Sequence, residues 1–155
     1  MHMKKIVITS ILINILLLGG VIVLLNNFDN LMSVLKHEQF HQIDFATNKK
    51  TNFETHVNLY LRQFSDPTFT NTTAEFKLGQ VLSLTNYLMN MDRNDPNNEY
   101  GRNTIINKIN EFNNLKNGYQ IGNTELLSLN PKELNLFVTK GSDKYEPTVY
   151  TPLKN

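Results

Sequence analysis

Twenty consecutive uncharged residues, Ile6 to Leu25 (IVITSILINILLLGGVIVLL), constrain this chain more than any other stretch. Only Thr9, Ser10 and Asn14 among them are polar. A helix rises about 1.5 Å per residue, so the run reaches roughly 30 Å, the hydrocarbon thickness of a bilayer. A helix also satisfies its own backbone hydrogen bonds, which lipid demands. Read alone, the run predicts a transmembrane signal-anchor helix over residues 6–25. A cleaved signal peptide has a shorter apolar core of about 7–15 residues and a small-residue cleavage site, which this sequence lacks. Lys4 and Lys5 precede the run, and no Lys or Arg follows until Lys36. Basic residues stay on the cytoplasmic side, so residues 1–5 are expected to be a cytoplasmic tail and the remainder extracytoplasmic. Inside the span, the Asn14 amide can hydrogen-bond to another helix, and Gly19 and Gly20 permit close approach. These three are the expected helix–helix contact.

From residue 26 onward the charge is balanced, with 13 Lys plus Arg against 14 Asp plus Glu. No basic stripe interrupts that balance, which argues against a nucleic-acid partner. The chain has no Cys, so packing rather than disulfides must hold it. The 23 Asn residues are scattered between apolar positions and form no low-complexity tract.

No Gly or Pro occurs between Val21 and Asp66, so a helix is free to run on past the apolar stretch. Leu31, Met32, Leu35, Ile43 and Ala46 recur at helical spacing and predict a juxtamembrane helix within residues 26–50. Thr51-x-x-Glu54 has the form of a capping box, and Phe53, Val57, Tyr60, Leu61 and Phe64 then make one apolar face. Ser65-Asp66-Pro67 is expected to end that helix. A second capping box, Thr72-x-x-Glu75, opens a helix carrying Phe76, Val81, Leu84, Leu88 and Met91. After the turn-rich stretch 92–101, Ile105, Ile109 and Phe112 predict a third helix that stops at Asn117-Gly118. The period then drops to two. Leu134, Leu136 and Val138 predict a strand, paired through a turn at Asn130-Pro131-Lys132 with Glu125–Leu129. Lys140–Asp143 is expected to turn into a last strand around Tyr145–Thr151. The fold class expected is α+β: a single N-terminal transmembrane helix, about three helices, and a small C-terminal antiparallel β-meander. Residues 51–155 form the extracytoplasmic domain in this reading.

One motif carries chemistry. His37-Glu38-Gln39-Phe40-His41 is HExxH. On a helix its two imidazoles lie one turn apart on one face and can share a zinc ion, while Glu38 can act as general base on the water that zinc activates. Zinc requires a further ligand, for which Glu54 and His56 qualify by residue type. The run LKHEQFHQID resembles the HExxH helix of secreted zinc proteases. That resemblance implies His37 and His41 as metal ligands and Glu38 as the catalytic residue. Against it, the motif lies twelve residues from the apolar run, and no strand precedes it to hold a peptide. His56 reads as a partly buried helix residue, and the aromatic set Phe53, Tyr60, Phe64, Phe76, Tyr87 and Phe112 reads as core.

The function expected from these features is that of a non-catalytic single-pass membrane protein. It would be a structural or accessory subunit whose partners are the bilayer and other membrane-protein subunits, with no cofactor. The order of tail, span, helices and antiparallel sheet is similar to inner-membrane components of type IV secretion systems, which implies a secretion- or conjugation-like assembly. The alternative expectation is a membrane-anchored zinc-binding protein or zinc metalloprotease using the HExxH at 37–41.

Overall fold

The Asn27 backbone is extended, and its side-chain oxygen accepts a hydrogen bond from the Asn30 N–H at 3.0 Å. That is the geometry of a helix N-cap, which satisfies one of the free donors of a new helix. Helix α1 (Phe28–Ala46) therefore starts afresh here instead of continuing from the preceding residues. The computed structural model describes residues 27–47, 52–93, 101–123 and 134–147. Asn14, Gly19, Gly20 and the whole 6–25 run lie outside them.

Helix α2 (Phe53–Ser65) is capped by Asn52, with a reciprocal capping box to Thr55. The sequence reading placed that box one residue earlier, at Thr51. A short helix α3 (Pro67–Thr70) follows, its start fixed by Pro67 and by the Asp66 carboxylate accepting from the Thr68 N–H at 3.0 Å. It occupies the stretch read only as a helix stop. Helices α4 (Ala74–Arg93) and α5 (Gly101–Asn114) match the expected second and third apolar runs. Beyond α5, Lys116 and Gly118 both take positive φ as the chain reverses.

Three antiparallel strands follow in the order β1 (Gln120–Asn123), β2 (Leu136–Lys140) and β3 (Asp143–Tyr145). The partner of β2 is thus 120–123; the expected partner, 125–129, lies outside the described residues. Ile121 faces Val138 and Gly122 faces Phe137. A Cβ at 122 would collide with the Phe137 ring, so the ring lies over the glycine and closes the gap it leaves. Asn113 on α5 donates to the Ile121 carbonyl at 3.0 Å and accepts from its N–H at 2.8 Å. One side chain thereby covers the open edge of β1, which would otherwise invite another strand.

The core lies between α2, α4, α5 and the sheet, around Val57, Leu84, Leu88, Ile105, Phe112 and Val138, all essentially without exposure. Asp92 at the end of α4 accepts from Arg102 Nε at 3.2 Å and from the Leu134 N–H at 2.9 Å, tying α5 and the entry to β2 to the same point.

One expectation is corrected. Among the described residues no helix is long and apolar enough to cross a membrane. The long helices, α1 with 19 residues and α4 with 20, carry charges along their lengths, including Asp29, Lys36 and Asp44 on α1 and Glu75, Lys77 and Asp92 on α4. The α+β content stands, but the fold class with an N-terminal transmembrane helix does not, nor does the single-pass topology drawn from it.

Helix α1 buries a polar row. Its buried residues are Asn30, Ser33, His37 and Asp44, while Phe28 is 73% and Phe45 82% exposed, and Leu35 and Ile43 are exposed as well. Burying polar groups costs free energy unless each finds a partner. Each of these does. Asn30 bonds with Thr73 in both directions, at 2.9 and 3.2 Å. Ser33 and His37 both meet Gln63. Asp44 pairs with Arg62 at 3.0 Å, and the Arg62 guanidinium lies 4.2 Å from the Phe40 ring centroid.

Candidate metal centre

Ser33, His37 and His41 recur every four residues on α1, which places them in one row on one face. On α2, His56, Tyr60 and Gln63 stand at i, i+4 and i+7, again in one row. The two rows face each other. The His37 and His41 rings are 4.9 Å apart between centroids, His41 and His56 are 4.5 Å apart, and His37 and His56 are 5.8 Å apart. One nitrogen from each of these three side chains lies within 4.8 Å of the other two, so the group can hold a metal ion. Tetrahedral ligation with Zn–N of about 2.0–2.1 Å places nitrogens about 3.4 Å apart, inside that 4.8 Å limit. Glu54, the other residue considered as a third ligand, is not in the group.

The donor chemistry fits. Burial holds the His37 imidazole well below its ordinary 6.5, at about 4, helped by neighbouring His41 and His56 and opposed by the Gln63 hydrogen bond. Burial also brings His56 to about 4, with His41 adding to the effect. Both rings are therefore neutral at neutral pH, the form that binds a metal.

A pH dependence follows for the metal-free protein. Unfolded histidines titrate near 6.5 and these two, folded, near 4. Between those values the unfolded chain binds more protons, so stability is full above pH 6.5 and falls as pH drops through the window. For buried His37 the limiting slope is about 1.4 kcal/mol per pH unit. Urea unfolding of the chelator-treated chain should show a lower midpoint at pH 5.2 than at pH 7.2. A midpoint that does not move would mean that the histidines are not buried in neutral form.

Two tyrosines read as core in the sequence close the site from the other side. Tyr60 lies 4.8 Å from the His37 ring, and Tyr87 of α4 stacks on His56 at 4.3 Å with planes only 7° apart. The Tyr60 phenol is held above its usual range, first by burial, then by Tyr87 and by the Glu38 carboxylate, with a Ser83 hydrogen bond acting the other way. Glu38 is half-buried on α1, next in sequence to His37.

The profile of the metallopeptidase toxin 2 family matches residues 6–121, three-quarters of the sequence and every residue of this site. The chain belongs to that family. No curated protein and no solved structure matches it. As a metallopeptidase toxin 2 member, the chain takes the apolar run 6–25 into the matched region together with the HExxH helix and the α2 row. The reading of that run as a signal-anchor for a membrane-complex subunit is corrected accordingly. The zinc alternative drawn from the HExxH is the one that the family and the three-histidine cluster favour.

The sequence reading missed Gln63, Tyr60, Tyr87 and Ser33. A signal was present in the spacing His56-x-x-x-Tyr60-x-x-Gln63, a polar row on a helix that otherwise buries its apolar side.

Proposed function

We propose that this chain is a zinc-dependent peptidase acting on a protein substrate, with the metal held by His37, His41 and His56 and with Glu38 as general base. The observation that carries this reading is the convergence of a third imidazole, from α2, on the two imidazoles of an HExxH helix. Two histidines alone recur by chance on solvated helices. A third, brought in from 15 and 19 residues further along the chain on another helix, requires the fold.

Three imidazoles would hold the ion, a donor set that catalytic zinc sites use together with a bound water. Zinc held by His37, His41 and His56 would supply Lewis-acid polarisation of the scissile carbonyl and lower the pKa of water. Glu38 accepts the proton of the attacking water and passes it to the leaving amine. It sits one residue from His37 and three from His41, so the helix carries its carboxylate along the same edge of the site. Tyr60 and Tyr87 wall one side of the site with ring surface against His37 and His56.

The test is His56→Ala in the full chain, with zinc binding followed by competition against a chromogenic chelator. One zinc per chain is expected in the parent. The variant should bind at least 100-fold more weakly while keeping its helical circular dichroism. Equal affinity in parent and variant would remove His56 from the site and with it the reading of a closed three-histidine centre.

A further inference from the structure

Gln63 is fully buried between α1 and α2, and every polar atom of its amide is engaged. Its Nε2 donates to the Ser33 carbonyl at 3.3 Å and to Ser33 Oγ at 2.9 Å. Its Oε1 lies 3.0 Å from His37 Nδ1.

These contacts fix more than a position. A backbone carbonyl only accepts, so the NH₂ end of the amide must face Ser33. The carbonyl end then faces His37, and a carbonyl oxygen likewise only accepts. The hydrogen on that bond has to come from the imidazole, which places the proton on Nδ1. A neutral imidazole carries one N–H, so Nε2 is left with its lone pair. The chain of inference starts at the Ser33 carbonyl and ends at the far side of the His37 ring.

We infer that Gln63 is a positioning residue that holds His37 in the Nδ1–H form and so presents Nε2 as the metal donor. This inference rests on the metal-centre reading for its purpose, but its geometry is independent of any metal. Metal-binding histidines commonly donate their second N–H to a carbonyl or carboxylate, and loss of such a partner weakens metal affinity by 10–100-fold. Here the partner comes from α2, the helix that also supplies His56 seven residues earlier. One helix face thus delivers a third ligand and orients the first. Burial makes the device stiff, since an amide enclosed by Ser33 and His37 cannot turn over without leaving the Ser33 carbonyl facing another acceptor.

The experiment uses the full chain, labelled with ¹⁵N and stripped of metal, at pH 7.5. Long-range ¹H–¹⁵N correlation spectra report which ring nitrogen of each histidine is protonated. His37 is expected in the Nδ1–H form. Gln63→Met, which keeps the volume and removes the acceptor, should lose that preference and bind zinc 10–100-fold more weakly. His37 in the Nε2–H form in the parent chain overturns the inference, whether or not the variant folds. A folded Gln63→Met chain with the parent's tautomer and zinc affinity overturns it too. A parent chain that shows the Nδ1–H form and yet takes up no zinc overturns the metal centre while supporting the tautomer assignment.

Discussion

Glu38→Gln is expected to leave zinc bound and to remove the proposed hydrolysis. The amide has nearly the shape of the carboxylate, so α1 and the two ligands beside it should be undisturbed. What changes is proton affinity, because a carboxamide cannot take a proton from water at neutral pH. General-base catalysis contributes roughly 10²–10⁴-fold in rate, and the variant's kcat/KM should fall by that factor. Zinc content measured on the same sample separates this outcome from trivial loss of the metal. If the variant hydrolyses protein at the parent rate, Glu38 is not the base. A carboxylate held elsewhere would then have to be found.

Phe112→Ala should cost about 3–5 kcal/mol, the range for truncating a buried aromatic. Phe112 has no exposed surface and its ring meets Phe64 edge-to-face at 5.3 Å, joining α5 to α2. Phe64 in turn packs on Phe69 at 4.7 Å. The cavity would therefore open at the junction that supports the helix carrying His56 and Gln63. A domain of this size is stable by about 5–15 kcal/mol in all, so such a loss is a large share. Chemical denaturation should show the drop, and zinc affinity should weaken with it because the α2 row loses its backing. A change below about 1 kcal/mol would mean that the core does not close around Phe112.

The helices that bury apolar faces were readable from the sequence. Phe53 to Phe64, Phe76 to Met91 and Ile105 to Phe112 each repeat at helical spacing, and each forms a helix close to the expected limits. The meander was readable from the alternation at Leu134–Val138, although its first strand is Gln120–Asn123. α1 was readable as a helix but its packing was not, because periodicity marks apolar positions and this helix buries Asn30, Ser33, His37 and Asp44. A polar row looks solvated until its partners are known, and those partners lie 18 to 43 residues away.

The same limit hid the site. HExxH was visible, yet nothing along the chain showed that His56 comes to it or that Gln63 and Tyr87 flank it. The aromatic set reads as core and packs as core, with Phe53 and Tyr87 at its margin, but Tyr60 and Tyr87 also touch the histidines. The apolar run at 6–25 was the strongest local signal and led furthest from the chemistry. Length and hydropathy alone do not distinguish a membrane span from a segment matched within a peptidase family.

The most direct test of a zinc centre on α1 and α2 is native mass spectrometry of the full chain beside His37→Ala/His41→Ala, both loaded with zinc and desalted. The parent should carry one zinc per chain and the double variant none, with both folded. A parent that retains no zinc, or a double variant that retains as much as the parent, would contradict the account.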